Sequence, residues 1–233
     1  MRLLLISNST NFGEGYLDHC AAEMQDFLGD VRSVVFVPYA LHDVDGYVSK
    51  TRTRYRQMGL TVTGVQEGGD PVKTLERADA VHIGGGNTFR LLKRLYDEKL
   101  VEVIRHRVQA GMPYIGASAG TNVATLSIRT TNDMPIVYPP TFDAIGLVPF
   151  NINPHYIDPD SGSTHMGETR DQRIKEFHEM NDTDVVGLRE GAMLRREGFA
   201  LTLRGINGGK VFRKNKAPEE IPVGADLSSL LER

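Results

Sequence analysis

The chain is poor in several features that would otherwise direct a functional reading. It has no tryptophan and one cysteine in 233 residues. A single Cys20 excludes an intramolecular disulfide framework and a multi-cysteine metal site, and it fits a reducing, cytoplasmic setting. No stretch of 18 apolar residues occurs, and the opening Leu3-Leu4-Leu5-Ile6 is too short for a signal peptide or a membrane span. Lys plus Arg number 27 against 30 for Asp plus Glu, a net charge of −3 with no basic stripe, so no nucleic-acid partner is expected. No G-x-G-x-x-G, G-K-[ST] or H-E-x-x-H is found, which removes the common dinucleotide, P-loop and zinc-peptidase signatures. No cofactor or metal is expected. His155, Asp158 and Asp160 can be written as a ligand set, but spacing this loose is common by chance.

What is present is an ordinary globular composition, 40% hydrophobic and 24% charged, with 24 glycines gathered in short clusters. The length suits one domain, 1–233. Leu3 to Ser7, Ser33 to Pro38, Leu60 to Val65, Ala80 to Ile83 and Pro113 to Ala117 read as strands. Helical spacing runs from Tyr16 to Leu28, over Tyr47 to Met58, from Asn87 as a cap through Leu95, and over 98–110. Strand and helix alternate with short connections, which predicts an α/β fold with a mainly parallel sheet covered on both faces. Residues 127–165 break the pattern with six prolines and read as an irregular, pocket-forming segment. Thr169 to Gln172 has the form of a capping box, and Val185 to Leu188 reads as a strand. Turns at Glu197-Gly198 and Asn207-Gly208-Gly209 predict antiparallel hairpin strands near the C-terminus.

Gly116-Ala117-Ser118-Ala119-Gly120 matches G-x-S-x-G directly after a buried strand. That context suits a nucleophilic serine on a strained turn at a helix N-terminus, closely packed by small neighbours. A serine nucleophile needs a base. His155 is the best placed of seven histidines, with His165 and His178 as alternatives, while His82 sits inside an apolar strand as a core residue. The N–H groups of Gly84-Gly85-Gly86 and Ala119 can form an oxyanion hole.

Seven segments in order resemble the serine peptidase family that contains the peptidase E aspartyl dipeptidases and cyanophycinase. They are Leu4 to Thr10, Gly84 to Phe89, Gly116 to Gly120, Ile128 to Ile136, Ile152 to His155, Gly167 to Arg170 and Gly187 to Gly191. The resemblance implies a three-layer fold like that of the class I glutamine amidotransferases, flavodoxin-like, with serine replacing their cysteine. It implies hydrolysis of a small acidic dipeptide bearing an N-terminal aspartate, with Ser118 as nucleophile and His155 as base. Glu190 and Asp133 both lie in family segments, and either could orient the histidine; Glu190 is favoured because it follows a strand. Arg170 is the first candidate for the substrate carboxylate, with Arg173 and Arg129 as alternatives, and Asn87, Thr130, Thr131 and Asn132 are candidate pocket residues. Many relatives carry a tryptophan where this chain has Ala117, which predicts a reshaped pocket. Two other readings stay open: hydrolysis of a different aspartyl amide or isopeptide, as in cyanophycinase, and a non-catalytic binding protein of the same fold. Neither a monomer nor a homodimer is singled out.

Overall fold

The computed structural model describes residues 1–159, 162, 164 and 167–232. Five parallel strands make up most of the larger sheet: β1 (Arg2–Ile6), β2 (Ser33–Val37), β3 (Thr61–Gly64), β4 (Val81–Ile83) and β5 (Tyr114–Ala117). Between them lie α1 (Ala21–Leu28), α2 (Val44–Gln57), α3 (Pro71–Glu76), α4 (Thr88–Asp97) and α5 (Leu100–Gln109). A single-turn α6 (Ala119–Asn122) follows β5. The sheet is buried on both faces because successive strand residues alternate between two cores. Leu3, Leu5, Val35 and Val37 join Leu75, Leu92 and Ile104 of α3, α4 and α5. Leu4, Ile6, Val34 and Phe36 join Met24, Phe27, Val48 and Tyr55 of α1 and α2. This is the expected three-layer α/β arrangement, produced by the two-residue side-chain period of a strand.

The remaining strands are β6 (Asn151–Tyr156), β7 (Val185–Arg189), β8 (Ala192–Glu197), β9 (Ala200–Gly205), β10 (Gly209–Phe212) and β11 (Glu219–Ile221), with α7 (Arg170–Met180) between β6 and β7. The hairpin β8–β9 extends the larger sheet antiparallel, giving the order β3-β2-β4-β5-β1-β8-β9. The others form a second sheet, β11-β10-β7-β6. The Asn207-Gly208-Gly209 turn therefore carries the chain from one sheet to the other, because β10 pairs with β7 and not with β9. A cluster of turn residues specifies a reversal without specifying which strand the chain meets next.

Two local expectations are corrected. The first helix begins at Ala21, not Tyr16, because residues before it are taken up in turns, with Leu17 at φ +59°. The segment 127–165 is not irregular throughout, since it contains β6; Asp160, Ser161, Ser163, His165 and Met166 lie outside the described residues. Pro154 hid this strand. It is tolerated because β6 is the edge of its sheet, where a missing N–H breaks no inner ladder. The expected caps are present: Asn87 Oδ1 accepts from Arg90 N–H at 3.0 Å, and Thr169 and Gln172 form a reciprocal capping box on α7.

Candidate active site

Ser118 leaves β5 on a sharp turn with φ +53° and ψ −108°, a region that costs a non-glycine residue about 1–3 kcal/mol. The surrounding contacts hold it there. Ser118 N–H donates to the Ile6 carbonyl at 3.0 Å, and Thr121 N–H donates to the Ser118 carbonyl at 2.8 Å. The Thr121 hydroxyl lies 2.7 Å from the Ile6 carbonyl, tying the turn to β1. The glycine at 120 is required by space: a Cβ there would lie 2.0 Å from the Ile83 carbonyl oxygen. The small residue at 85 faces the serine, since a Cβ at Gly85 would lie 3.1 Å from Ser118 Cβ.

His155 sits on β6 at a register shift in the β6–β7 pairing, with φ +52°. A bulge re-aims a side chain in this way, and here it brings Nε2 to 3.0 Å from Ser118 Oγ. Nδ1 lies 2.8 Å from Glu190 Oε1. An ionised carboxylate only accepts, so Nδ1 carries the hydrogen and the Nε2 lone pair faces the serine hydroxyl. Glu190 follows β7 directly, in the turn to β8. Asp133 makes no hydrogen bond to His155. Its carboxylate accepts from Thr88 N–H at 2.7 Å and from the Thr131 hydroxyl at 3.2 Å, which fastens its segment to the start of α4. Of the alternative bases, His178 is buried with Nε2 on the Thr183 carbonyl at 3.0 Å, and His165 lies outside the described residues. His82 is the core residue expected. It is fully buried, hydrogen-bonded through Nδ1 to the Tyr55 hydroxyl at 2.8 Å, and its pKa is lowered to about 3 by desolvation.

Three residues that position this relay escape a reading of motifs. Ser7, fully buried at the end of β1, accepts from His155 N–H at 2.9 Å and donates to the Leu188 carbonyl at 2.9 Å. It joins the larger sheet to both β6 and β7. Asn8 Oδ1 accepts from Gly191 N–H at 2.7 Å, and Asn207 Nδ2 donates to the Glu190 carbonyl at 2.6 Å. These two fix the turn that presents Glu190. Ser7 and Asn8 fall in the first of the seven family segments, and that is the signal that could have found them.

In the Gly84–Gly86 turn, Gly84 N–H and Asn87 N–H donate to the Val37 and Ala40 carbonyls. The Gly85 N–H lies at the Tyr47 hydroxyl. Among the described residues, the N–H groups of Gly86, Ala119 and Gly120 have no acceptor, so Gly86 and Ala119 of the expected oxyanion donors are free, and the third, Gly85, is engaged only by that side-chain hydroxyl. Gly86 has φ +136°, and a Cβ there would lie 2.6 Å from the Ala40 carbonyl oxygen, so no other residue fits this turn.

The expected pocket residues divide sharply. Asn87 uses Oδ1 as the α4 cap and donates Nδ2 to the Met134 carbonyl at 2.9 Å. The buried Thr130 hydroxyl donates to the Ile152 carbonyl, and Asn132 links the Pro154 carbonyl to Asn153 Nδ2. Thr131 bonds Thr88 Oγ1 and Asp133. These four, expected as pocket residues, hold β6 and α4 in place through these bonds, and Asn87 is the α4 cap that was also expected. Arg129 pairs with Asp143 at 3.7 Å and Arg173 with Glu168 at 3.5 Å. Arg170 alone of the three has no ion pair among the described residues. It is half-buried, and desolvation together with Arg173 lowers its pKa, so its charge lacks compensation. Ala117 lies just before the serine, at the end of β5. Its side chain is fully buried in the core shared with Ile6, Ile115 and Met193, so a larger ring there would press on packing beneath the nucleophile.

Among the described residues no group of three or more His, Cys, Asp or Glu is arranged to hold a metal ion, and no helix is long and apolar enough to cross a membrane. Asp158 instead accepts from Arg189 and Lys210, which hold its carboxyl well below the usual range; Asp160 lies outside the described residues.

A solved structure of a peptidase from an acI-B1 Actinobacterium matches with a TM-score of 0.73 at 15% identity, over 97% of this chain and 96% of that one, which shows a shared fold. Peptidase E of Streptomyces coelicolor is 55% identical over 100% of this chain and 96% of its own length. A Drosophila melanogaster protein described as a probable alpha-aspartyl dipeptidase is 48% identical, covering 99% of this chain and 98% of its own. Residues 3–204 match the pattern of peptidase family S51. The chain belongs to peptidase family S51.

Proposed function

We propose that the protein is a serine-type dipeptidase that hydrolyses dipeptides with an N-terminal L-aspartate. The observation that carries this reading is the continuous relay Ser118 Oγ, His155 and Glu190, with contacts of 3.0 and 2.8 Å. His155 Nε2 takes the Ser118 proton as Oγ attacks the peptide carbonyl, and Glu190 stabilises the imidazolium that forms. The N–H groups of Gly86 and Ala119 receive the negative charge on the carbonyl oxygen. His155 then gives its proton to the leaving amine. Water attacks the aspartyl ester, again losing a proton to His155, and aspartate leaves Ser118. The guanidinium of Arg170, without an ion pair among the described residues, supports the choice of aspartate, because a planar fork grips a small carboxylate through two parallel hydrogen bonds. In this reading Asp133 holds the segment beside α4 and does not orient the base.

The test is mass-spectrometric assay of a matched panel: Asp-Leu, β-Asp-Leu, Glu-Leu, Asn-Leu and Ala-Leu, with Ser118→Ala in parallel. Cleavage confined to Asp-Leu and lost in Ser118→Ala is the expected result. Equal cleavage of Asn-Leu removes the arginine from the reading, and activity that survives Ser118→Ala removes the mechanism.

A further inference from the structure

The base and the arginine of the proposed site stand on different elements, β6 and α7, yet their sequence neighbours meet. Tyr156, next to His155, donates its hydroxyl hydrogen to Oδ1 of Asp171, next to Arg170, at 2.5 Å. The Tyr156 side chain has little freedom to do otherwise. It is 2% exposed, its ring covers Gly187 of β7 so closely that a Cβ there would lie 2.9 Å away, and Phe212 of β10 packs against it at 5.7 Å. Lys210 Nζ donates to the same hydroxyl oxygen at 3.2 Å and is itself held by Asp158 at 2.7 Å. With an ammonium donating to its oxygen, the phenol is left to donate toward the carboxylate. Other contacts of α7 act differently. Ile174 and Phe177 pack its middle against Val185 and Phe212, and the Thr169–Gln172 box orders the first turn only internally.

We propose that Tyr156 is a positioning residue for substrate recognition: its bond to Asp171 sets the first turn of α7 against β6, so that Arg170 is held at a fixed reach from Ser118 and His155. This rests on the reading of Arg170 as the substrate-carboxylate ligand. Tyr156→Phe keeps the ring and removes the bond. An arginine gripping a side chain remote from the reacting carbonyl binds ground state and transition state alike, so its displacement raises KM and spares kcat.

The experiment is steady-state hydrolysis of Asp-Leu by wild type, Tyr156→Phe, Asp171→Asn, Arg170→Met and the Tyr156→Phe/Arg170→Met double variant. The expected result is a KM raised about tenfold in Tyr156→Phe with kcat within about threefold, and a smaller rise in Asp171→Asn, which keeps an acceptor. The double variant is expected to be no worse than Arg170→Met, because one residue acts through the other. A kcat loss at unchanged KM, or losses that multiply in the double variant, overturns the proposal by showing a general structural role. An unchanged KM in Tyr156→Phe alongside a raised KM in Arg170→Met overturns it while leaving Arg170 in place. An unchanged KM in Arg170→Met refutes the reading of Arg170 itself, and the proposal with it.

Discussion

The two sheets share the proposed catalytic relay but hold their parts by opposite means. The larger sheet supplies Ser118 and fixes it through the main chain: glycine at 120 packed on the Ile83 carbonyl, backbone bonds to Ile6 and Thr121, and a strained φ that these contacts impose. The smaller sheet and the turn after it supply His155 and Glu190, fixed by side chains from far along the chain: Ser7, Asn8 and Asn207. A nucleophile that must sit at one strained point is best held by backbone packing. A base and its orienter need direction more than position, and hydrogen bonds supply direction. Ser7 is the point at which the two arrangements touch, since its hydroxyl bonds both β6 and β7 from the end of β1.

That contrast can be broken at several depths. The largest effect is expected at the relay itself. Ser118→Ala and His155→Ala each lower kcat by about 10⁴–10⁶-fold, and the double variant is no worse than either, because the two act as one unit. Measurement of kcat for the three proteins checks this, and multiplying losses would show that they do not. Next come the two carboxylates. Glu190→Gln is expected to lower kcat by about 10²–10⁴-fold through loss of the tautomer and of charge stabilisation. Asp133→Asn keeps an acceptor for Thr88 N–H and lowers kcat by less than about tenfold, with a stability loss of about 1 kcal/mol. A reversed order of these two kcat values would exchange their roles.

The junction is predicted to be intermediate. Ser7→Ala leaves His155 N–H and the Leu188 carbonyl buried without partners, at a stability cost of about 1–3 kcal/mol. It also lowers kcat by about 10–100-fold as the histidine loses its fixed direction. Denaturant unfolding and kcat together measure both effects. A stable variant with unchanged kcat would show that the bulge on β6 aims His155 unaided. The smallest effect on activity is expected at His82, in the core of the larger sheet. Its folded pKa of about 3 lies below the ordinary 6.5, so below that value the unfolded chain binds a proton that the folded one does not. Stability therefore falls as pH drops from about 6.5 toward 3, by up to about 1.4 kcal/mol per unit. His82→Leu is expected to flatten this limb between pH 6 and 4 in urea unfolding, whatever it does to stability at pH 7 through the orphaned Tyr55 hydroxyl. An unaltered slope would show that His82 does not carry it.

Legibility in the sequence followed the same division. The parallel strands, the Asn87 and Thr169 caps and the Ser118 turn carry local marks, an apolar run, a capping residue or a glycine-flanked serine, and each could be read from spacing and residue type even though Ile6 and Ile83 complete the Ser118 turn from afar. β6 was hidden because Pro154 argues against a strand until its place at a sheet edge is known. The internal bonds of Asn132 and Thr130 were hidden because their partners, at Pro154, Asn153 and Ile152, lie about twenty residues away. Arg170 was preferred over Arg129 and Arg173 only for its place in a family segment at a helix start; the ion pairs of the other two, and the lack of one at Arg170 among the described residues, became visible only in the structure.

From sequence alone came the α/β class with its parallel sheet covered on both faces and the candidate nucleophile Ser118, because strand periodicity and a glycine-flanked turn are legible along the chain; the three-layer architecture came with the family resemblance. The sequence also narrowed the base to His155 through its family segment, and the orienter to two carboxylates. Only the tertiary structure decided that Glu190 faces the imidazole while Asp133 fastens a segment to α4, that β10 crosses to a second sheet, and that Ser7 joins the two. Each of those outcomes depends on which distant strands become neighbours. A hydrogen bond between residues 7 and 155, or 8 and 191, leaves no mark in local spacing, since its partners meet only after both sheets have formed.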